Sequence, residues 1–334
     1  MVRRVGIVAA LLSTVVAAGC GGGSSPAGAR APEPAATSTS PSAGPSTPAN
    51  GRLPAYVVAR VDLGRQPCAV EGGFGSVWVS VYGDDRLIRL DPRTHEVLAR
   101  IRTGLSPCGI AVGGGSVWVE NYGGDTVTRV DPRTDKVSAT VKVGTSPYDV
   151  TYAAGAAWVT NYVDDTVTRI DAGSGRTRVV DVGGSPTGIA PAAGAVWVTN
   201  QSDATLSRID PRTLHVRTTE LGTVPTWTSW GGGRLWVSDG GGIVEVDTAT
   251  GRQHARATFD PTVTSNDGDV VDGTVWVPAN DGTLHEIGPG GAPAGSWPLG
   301  LTNPFVLAGW AGKLWVVDFK GTAVEEIDPA LLRR

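Results

Sequence analysis

Tryptophan returns along this chain at a nearly constant interval, and that interval limits the fold more than any other feature. Trp78, Trp118, Trp158, Trp197, Trp236, Trp276 and Trp315 lie 39 or 40 residues apart. Each follows a Gly-rich turn and one apolar or small residue, and each is followed by Val. A period of about 40 residues with strand-like composition and no helical pattern predicts a β-propeller in which every repeat is one four-stranded blade. The chain is therefore expected to be all-β and seven-bladed, with the tryptophans packed between neighbouring blades.

The second repeat shows how one blade reads. Cys108–Val112 forms strand a, Gly113-Gly114-Gly115 a turn and Ser116–Asn121 the Trp strand b. A loop at Tyr122–Asp125, strand c at Thr126–Asp131 and strand d at Lys136–Val143 complete it. Asp131-Pro132 begins a turn with both residues at favoured positions. The glycine triplet joins two strands with no helix after it, so it reads as a hairpin turn and not a phosphate cradle.

The chain ends supply an independent test. After Trp315 only strand c, Thr322–Asp328, remains, leaving that blade one strand short. Tyr56–Leu63 has no blade of its own but matches strand d. Val57, Ala59 and Val61 align with Val97, Ala99 and Ile101, and Gly64 with Gly104. The N-terminal strand is expected to complete the last blade, giving 28 strands and no unpaired edge at the seam.

Residues 1–20 read as a lipoprotein signal peptide. Arg3-Arg4 precedes an apolar run from Val5 to Val16, too short for a mature membrane span. Ala17-Ala18-Gly19-Cys20 resembles a lipobox, with Cys20 as the lipidated residue. Residues 21–53, rich in Gly, Ser, Pro, Ala and Thr, cannot bury enough surface to order themselves. Such a linker spans about 30 Å. The propeller occupies 54–334, and the expectation is an exported, monomeric head lipid-anchored at the outer face of the cell membrane.

The net charge of −4 comes from interspersed acidic and basic residues without a basic stripe, which argues against nucleic acid. No nucleophile elbow, HExxH pair, Cys-x-x-Cys or phosphate loop occurs. His95, His215 and His254 fall at or just after c–d turns, and His285 on a c strand, so none is expected at a channel mouth. No catalytic residue, metal site or cofactor is assigned, and the chain leans towards a non-enzyme. Asp149 and Asp267 remain the carboxylates able to act as acid and base.

The loops entering strand a and joining strands b and c should emerge together around the central channel. They present Tyr82, Asn121, Tyr122, Tyr148, Asp149, Asn161, Tyr162, Asn200, Trp227, Asp239 and Asp267, a plausible surface for a protein or polymer partner. Asn and Asp also serve turn geometry there. Cys68 and Cys108 hold the same position in adjacent blades and are expected to form a disulfide, with free thiols or half a metal site as the alternatives. The c-strand position two before the closing Asp is Arg in four blades (Arg89, Arg129, Arg169, Arg208) and Glu in three (Glu245, Glu286, Glu326). That split suits a solvated outer face or a docking edge. Ser265-Asn266-Asp267-Gly268-Asp269 breaks the repeat with carboxylates able to hold Ca²⁺, although it matches no full calcium loop.

The stretch 106–134, S-P-x-G-I-A-V-G-G-G-S-V-W-V followed by N-Y and D-T-V-T-R-V-D-P-R-T, resembles the bacterial YVTN-type β-propeller repeat family. Copies at 66–94, 146–171 and 185–213 match it well, and those after about residue 225 are degenerate. The resemblance implies an exported or surface propeller. The same Pro-x-Gly-Ile…Trp rhythm resembles, more distantly, the streptogramin (virginiamycin B) lyases. Those are seven-bladed enzymes that open a cyclic depsipeptide by elimination with a divalent metal and a histidine base. This chain departs from them in having no histidine at the expected mouth. The function expected is a non-catalytic binding scaffold, with a lyase of that type as the alternative.

Overall fold

The computed structural model describes residues 52–239, 241–259, 264–288 and 291–333. Residues 1–51, with the expected signal peptide, Cys20 and nearly all of the expected linker, lie outside the described residues. The described chain forms seven four-stranded antiparallel sheets, each joining consecutive strands a to d from the channel outward. Blade 2 runs Pro107–Gly113, Ser116–Asn121, Thr126–Asp131 and Lys136–Lys142, within one residue of the expected bounds at every strand end. Gly114 and Gly115 take φ of +60° and +71° in its a–b turn, so the triplet is a hairpin.

The seventh sheet contains Pro304–Trp310, Lys313–Asp318, Ala323–Ile327 and, as its outer strand, Val57–Asp62 from the other end of the domain. Val61 pairs with Val324 and Arg60 with Glu325 in antiparallel register. The Arg60 guanidinium also binds the Glu325 carboxylate, 265 positions away in sequence. The ring is closed as the strand count anticipated.

All seven repeat tryptophans are buried, none more than 3 % exposed. In blades 1 to 4 the indole Nε1 donates to the carbonyl five residues earlier, as from Trp118 to Gly113 at 3.1 Å. Each Trp stands opposite the c-strand Arg or Glu. The four arginines therefore lie over the indoles, with guanidinium carbons 4.8–5.8 Å from the ring centres. Arg129 also donates to Ser116 Oγ and the Ala172 carbonyl of the next blade. These arginines form neither a solvated face nor a docking edge, because their charge is spent on covering tryptophan and, for Arg89 and Arg129, on reaching the next blade. In the other blades Glu245 pairs with Arg234, Glu286 with Arg333 and Glu326 with His95.

The degenerate repeats keep their sheets but shorten strand a, to Thr228–Gly231 in blade 5 and Asp269–Val271 in blade 6. There Asp267 instead exchanges backbone hydrogen bonds with Phe305 and Leu307 of blade 7. Among the described residues no helix is long and apolar enough to cross a membrane.

An aromatic crescent above an acidic channel

In blades 1 to 4 and 7 the residue four beyond the repeat Trp begins the b–c loop, and its amide bonds the loop that enters strand a. Tyr82 binds Gln66 O, Tyr122 binds Ser106 O, Tyr162 binds Ser146 O, Gln201 binds Ser185 O and Phe319 binds Asn303 O, all at 2.9–3.1 Å. One repeated bond thus fixes Phe319, Tyr82, Tyr122 and Tyr162 at the same mouth position in four successive blades, with Gln201 next. Tyr82 meets Phe319 edge-on at 5.8 Å, Phe305 packs on Phe319 at 4.9 Å, and Tyr148 stacks on Tyr162 at 5.7 Å. The Tyr162 hydroxyl donates to Gln201 Oε1 at 3.3 Å. Burial raises Tyr82, Tyr122 and Tyr148 above the usual phenol range, so these hydroxyls stay neutral donors. Leu105 and Val163, 57 % and 58 % exposed, flank the arc.

The a strands enclose a cavity of about 410 Å³ in the channel. Glu71, Asp149, Asp267 and Asp269 line it, and no Lys, Arg or His does. Desolvation, reinforced by Asp269 and Asp149, lifts Glu71 to about 8. Desolvation, with Asp149 adding to it, lifts Asp267 to about 8, and desolvation alone lifts Asp149 to about 7. These side chains keep some contact with channel water while protein surrounds them, so ionising one works against poor solvation and against its neighbours. Asp149 and Asp269 act alike within the frame. Asp149 Oδ2 accepts the Ile189 amide of the next blade, and Asp269 Oδ2 that of Gly309, each at 3.0 Å. Asp269 also accepts from Ser229 Oγ at 2.9 Å. Among the described residues nothing hydrogen-bonds the Asp267 carboxylate, which makes it the channel acid freest to meet a ligand.

Of the residues expected at the mouth, Tyr82, Tyr122, Tyr148 and Tyr162 come together with Asp149 and Asp267 below them. The three asparagines do not belong to that surface. Asn121, Asn161 and Asn200 are fully buried. Asn121 accepts the Gly104 amide and donates to Thr126 and Thr128, and Asn161 does the same with Gly144, Thr166 and Thr168. Asn200 donates to Thr205 and Ser207. A Cβ at Gly104 or Gly144 would fall 2.6 Å from the Asn side chain, so the glycine and the asparagine form one device that seals the b–c hairpin. Trp227 is 3 % exposed and packs with Trp236, Ile243 and Val277. Its indole is therefore core, although its segment borders the cavity. Asp239 is held by Arg256 and by Thr223 Oγ1.

Cys68 and Cys108 are joined as a disulfide between blades 1 and 2, with Cα atoms 5.0 Å apart. In the segment around Asp267, Asn266 bonds the Pro304 carbonyl and Asp269 the frame of blades 5 and 7. Among the described residues no group of three or more His, Cys, Asp or Glu is arranged to hold a metal ion. His95 lies against Trp315 and Glu326, and His285 against Phe259 and Thr283, away from the cavity.

Glu71, Glu120 and Phe319 escaped sequence reasoning, and so did the place of Asp269 in the channel, since that residue was read only as a carboxylate of the segment that breaks the repeat. Glu71 and Asp269 stand seven residues before their tryptophans, where the other blades have Ala111, Thr151, Ala190, Ser229 and Ala308. Glu120 stands two after Trp118, where the neighbouring blades have Ser80 and Thr160. Phe319 aligns with Tyr82 and Tyr122. Reading each column of the repeat for its exceptional residue exposes all four.

No family model and no curated protein sequence matches the chain. Solved structures do resemble it. A streptogramin B lyase superposes with a TM-score of 0.72 at 16 % identity, over 80 % of this chain and 96 % of that one. Virginiamycin B lyase from Staphylococcus aureus gives 0.72 at 13 % identity, over 80 % and 98 %. The WD40 β-propeller domain of Doa1 gives 0.70 at 12 % identity, over 82 % and 97 %. Lyases and a WD40 domain fit almost equally well, so the likeness establishes a seven-bladed β-propeller with remote similarity to virginiamycin B lyases and is compatible with scaffold and enzyme alike.

Proposed function

We propose that this protein is an exported, lipid-anchored binding head that captures a protein or polymer partner through the aromatic crescent and does no chemistry on it. The crescent itself carries the reading. Tyr82, Tyr122, Tyr148 and Tyr162 offer flat apolar faces and phenol hydroxyls on backbone that is already tied down. Little ordering cost then remains on association. The acidic channel below admits neutral or cationic groups of that partner and repels anions.

The solved neighbours include a catalytically inactive histidine-to-alanine variant of Staphylococcus aureus virginiamycin B lyase with quinupristin. All four histidines of the present chain sit on the outer strands and turns, which favours binding over a lyase reaction. The test is capture by immobilised protein. Tyr122→Ala combined with Tyr162→Ala is expected to lower partner retention at least tenfold while the melting temperature stays near wild type, about 1.4 kcal/mol of binding energy. Full retention by that variant contradicts the reading. Turnover of a cyclic depsipeptide that requires Mg²⁺ and stops with chelator replaces it with the lyase.

A further inference from the structure

Two residues beyond the tryptophan, strand b carries a side chain that ties its blade to the next. In blade 1 the Ser80 hydroxyl accepts from the Ala69 amide at 3.0 Å and donates to the Cys108 carbonyl of blade 2 at 2.6 Å. In blade 3 Thr160 accepts from the Asp149 amide at 3.0 Å and donates to the Thr187 carbonyl of blade 4 at 2.8 Å. In blade 4 the Thr199 hydroxyl lies 3.2 Å from the Gly188 carbonyl of its own strand a and 3.4 Å from the Thr226 carbonyl of blade 5, and shares its proton between them. In blades 1 and 3 the seam residue has two tasks. It accepts from its own strand a, and it supplies a proton to the carbonyl ten residues before the next tryptophan.

Blade 2 has Glu120 at this position. The first task is kept, because Oε1 accepts the Gly109 amide at 2.7 Å. Oε2 is fully buried and has no hydrogen-bond partner. The carbonyl that the repeat sets across this seam is that of Tyr148. An ionised carboxylate there would leave two acceptors in a dry seam with no proton between them, an arrangement buried polar groups avoid.

We propose that the Glu120 side chain is a carboxylic acid whose Oε2–H donates to the Tyr148 carbonyl, closing the seam between blades 2 and 3 as hydroxyls close its neighbours. The titratable groups facing it are Asp149 from blade 3 and Tyr82 and Tyr122 from the mouth, while the Gly109 and Cys108 amides of its own blade favour the charged form and are outweighed by burial. None is a cation, and Arg129 on the adjacent strand c is turned onto Trp118. Desolvation, with a smaller contribution from the Asp149 charge, holds Glu120 well above the ordinary carboxylate range. Unlike the hydroxyl seams, this one opens when base removes its proton, and it carries Tyr122, Tyr148 and Asp149. The inference stands on seam geometry and is independent of what the mouth binds.

The test is the infrared difference spectrum of wild type minus Glu120→Gln, both as full chains at about pH 7. Gln presents the same acceptor and an N–H donor in the same shape. A carboxylic-acid C=O stretch present in wild type and absent from the variant is the expected result. A carboxylate doublet in its place overturns the proposal. Should Glu120→Gln fail to fold, Glu120→Thr, the residue used in blades 3 and 4, supplies the same subtraction.

Discussion

Asn121 and Asn161 each hold one amide from the d–a turn and two threonine hydroxyls, and both are fully buried. Asn121→Ala and Asn161→Ala are therefore expected to lower unfolding stability by about 1–3 kcal/mol each, measured by urea titration. Asn200→Ala should cost less, because Asn200 Oδ1 already lacks a partner. None of the three should alter partner capture by the folded protein. At this scale the sequence misled for a definite reason. Asn at the end of strand b has the same polarity whether it seals a hairpin or faces a ligand, and only burial separates the roles. The tyrosines were legible because a large ring that alternates with Gln201 and Asn280 at one repeat position has no fixed task in the frame.

Elements meet at seams, and the seams differ in strength. Blades 1 and 2 are held by Ser80 and by the Cys68–Cys108 disulfide, which encloses 40 residues of chain. By loop entropy that bridge contributes up to about 4 kcal/mol. Cys108→Ser should lower stability by up to that amount, and alkylation without reductant followed by mass spectrometry should find neither thiol free. A protein that alkylates fully without reductant contradicts the bridge. Blade boundaries were readable to within one residue in blade 2, because period, turn chemistry and alternation all agree there. Blades 5 and 6 were less legible. Ser265–Asp269 offered carboxylates able to hold Ca²⁺ without matching a full calcium loop, whereas in the fold Asp267 and Asp269 both line the channel and Asp269 also braces blades 5 and 7.

Across the whole molecule the channel acids, together with Glu325 of the closing sheet, set the response to pH. Glu71 and Asp267 at about 8, and Asp149 and Glu325 at about 7, bind protons more tightly folded than unfolded. Their contribution is complete below about pH 4 and is lost as pH rises to about 8. The exposed turn acids Asp91, Asp131, Asp171, Asp210 and Asp247, lowered by backbone amides, act in the opposite sense as pH falls through the carboxylate range. Stability should therefore peak in mild acid, at about pH 5, and decline towards about pH 8. Glu71→Gln with Asp267→Asn should flatten that decline in a series of thermal melts.

The closed ring was readable from the two chain ends, whereas the acidity of its channel was not, because it arises from strands that meet only when the ring shuts. That same closure gathers Phe319, Tyr82, Tyr122 and Tyr162 from both ends of the domain into one arc. The most direct test of the binding reading is site-specific photo-crosslinking on intact cells, with the probe at position 122 or 162 compared with position 179. Val179 is 63 % exposed on the outer strand of blade 3. The expected result is a discrete adduct from positions 122 and 162 and none from 179. Adducts from 179 alone would contradict the crescent as the working face.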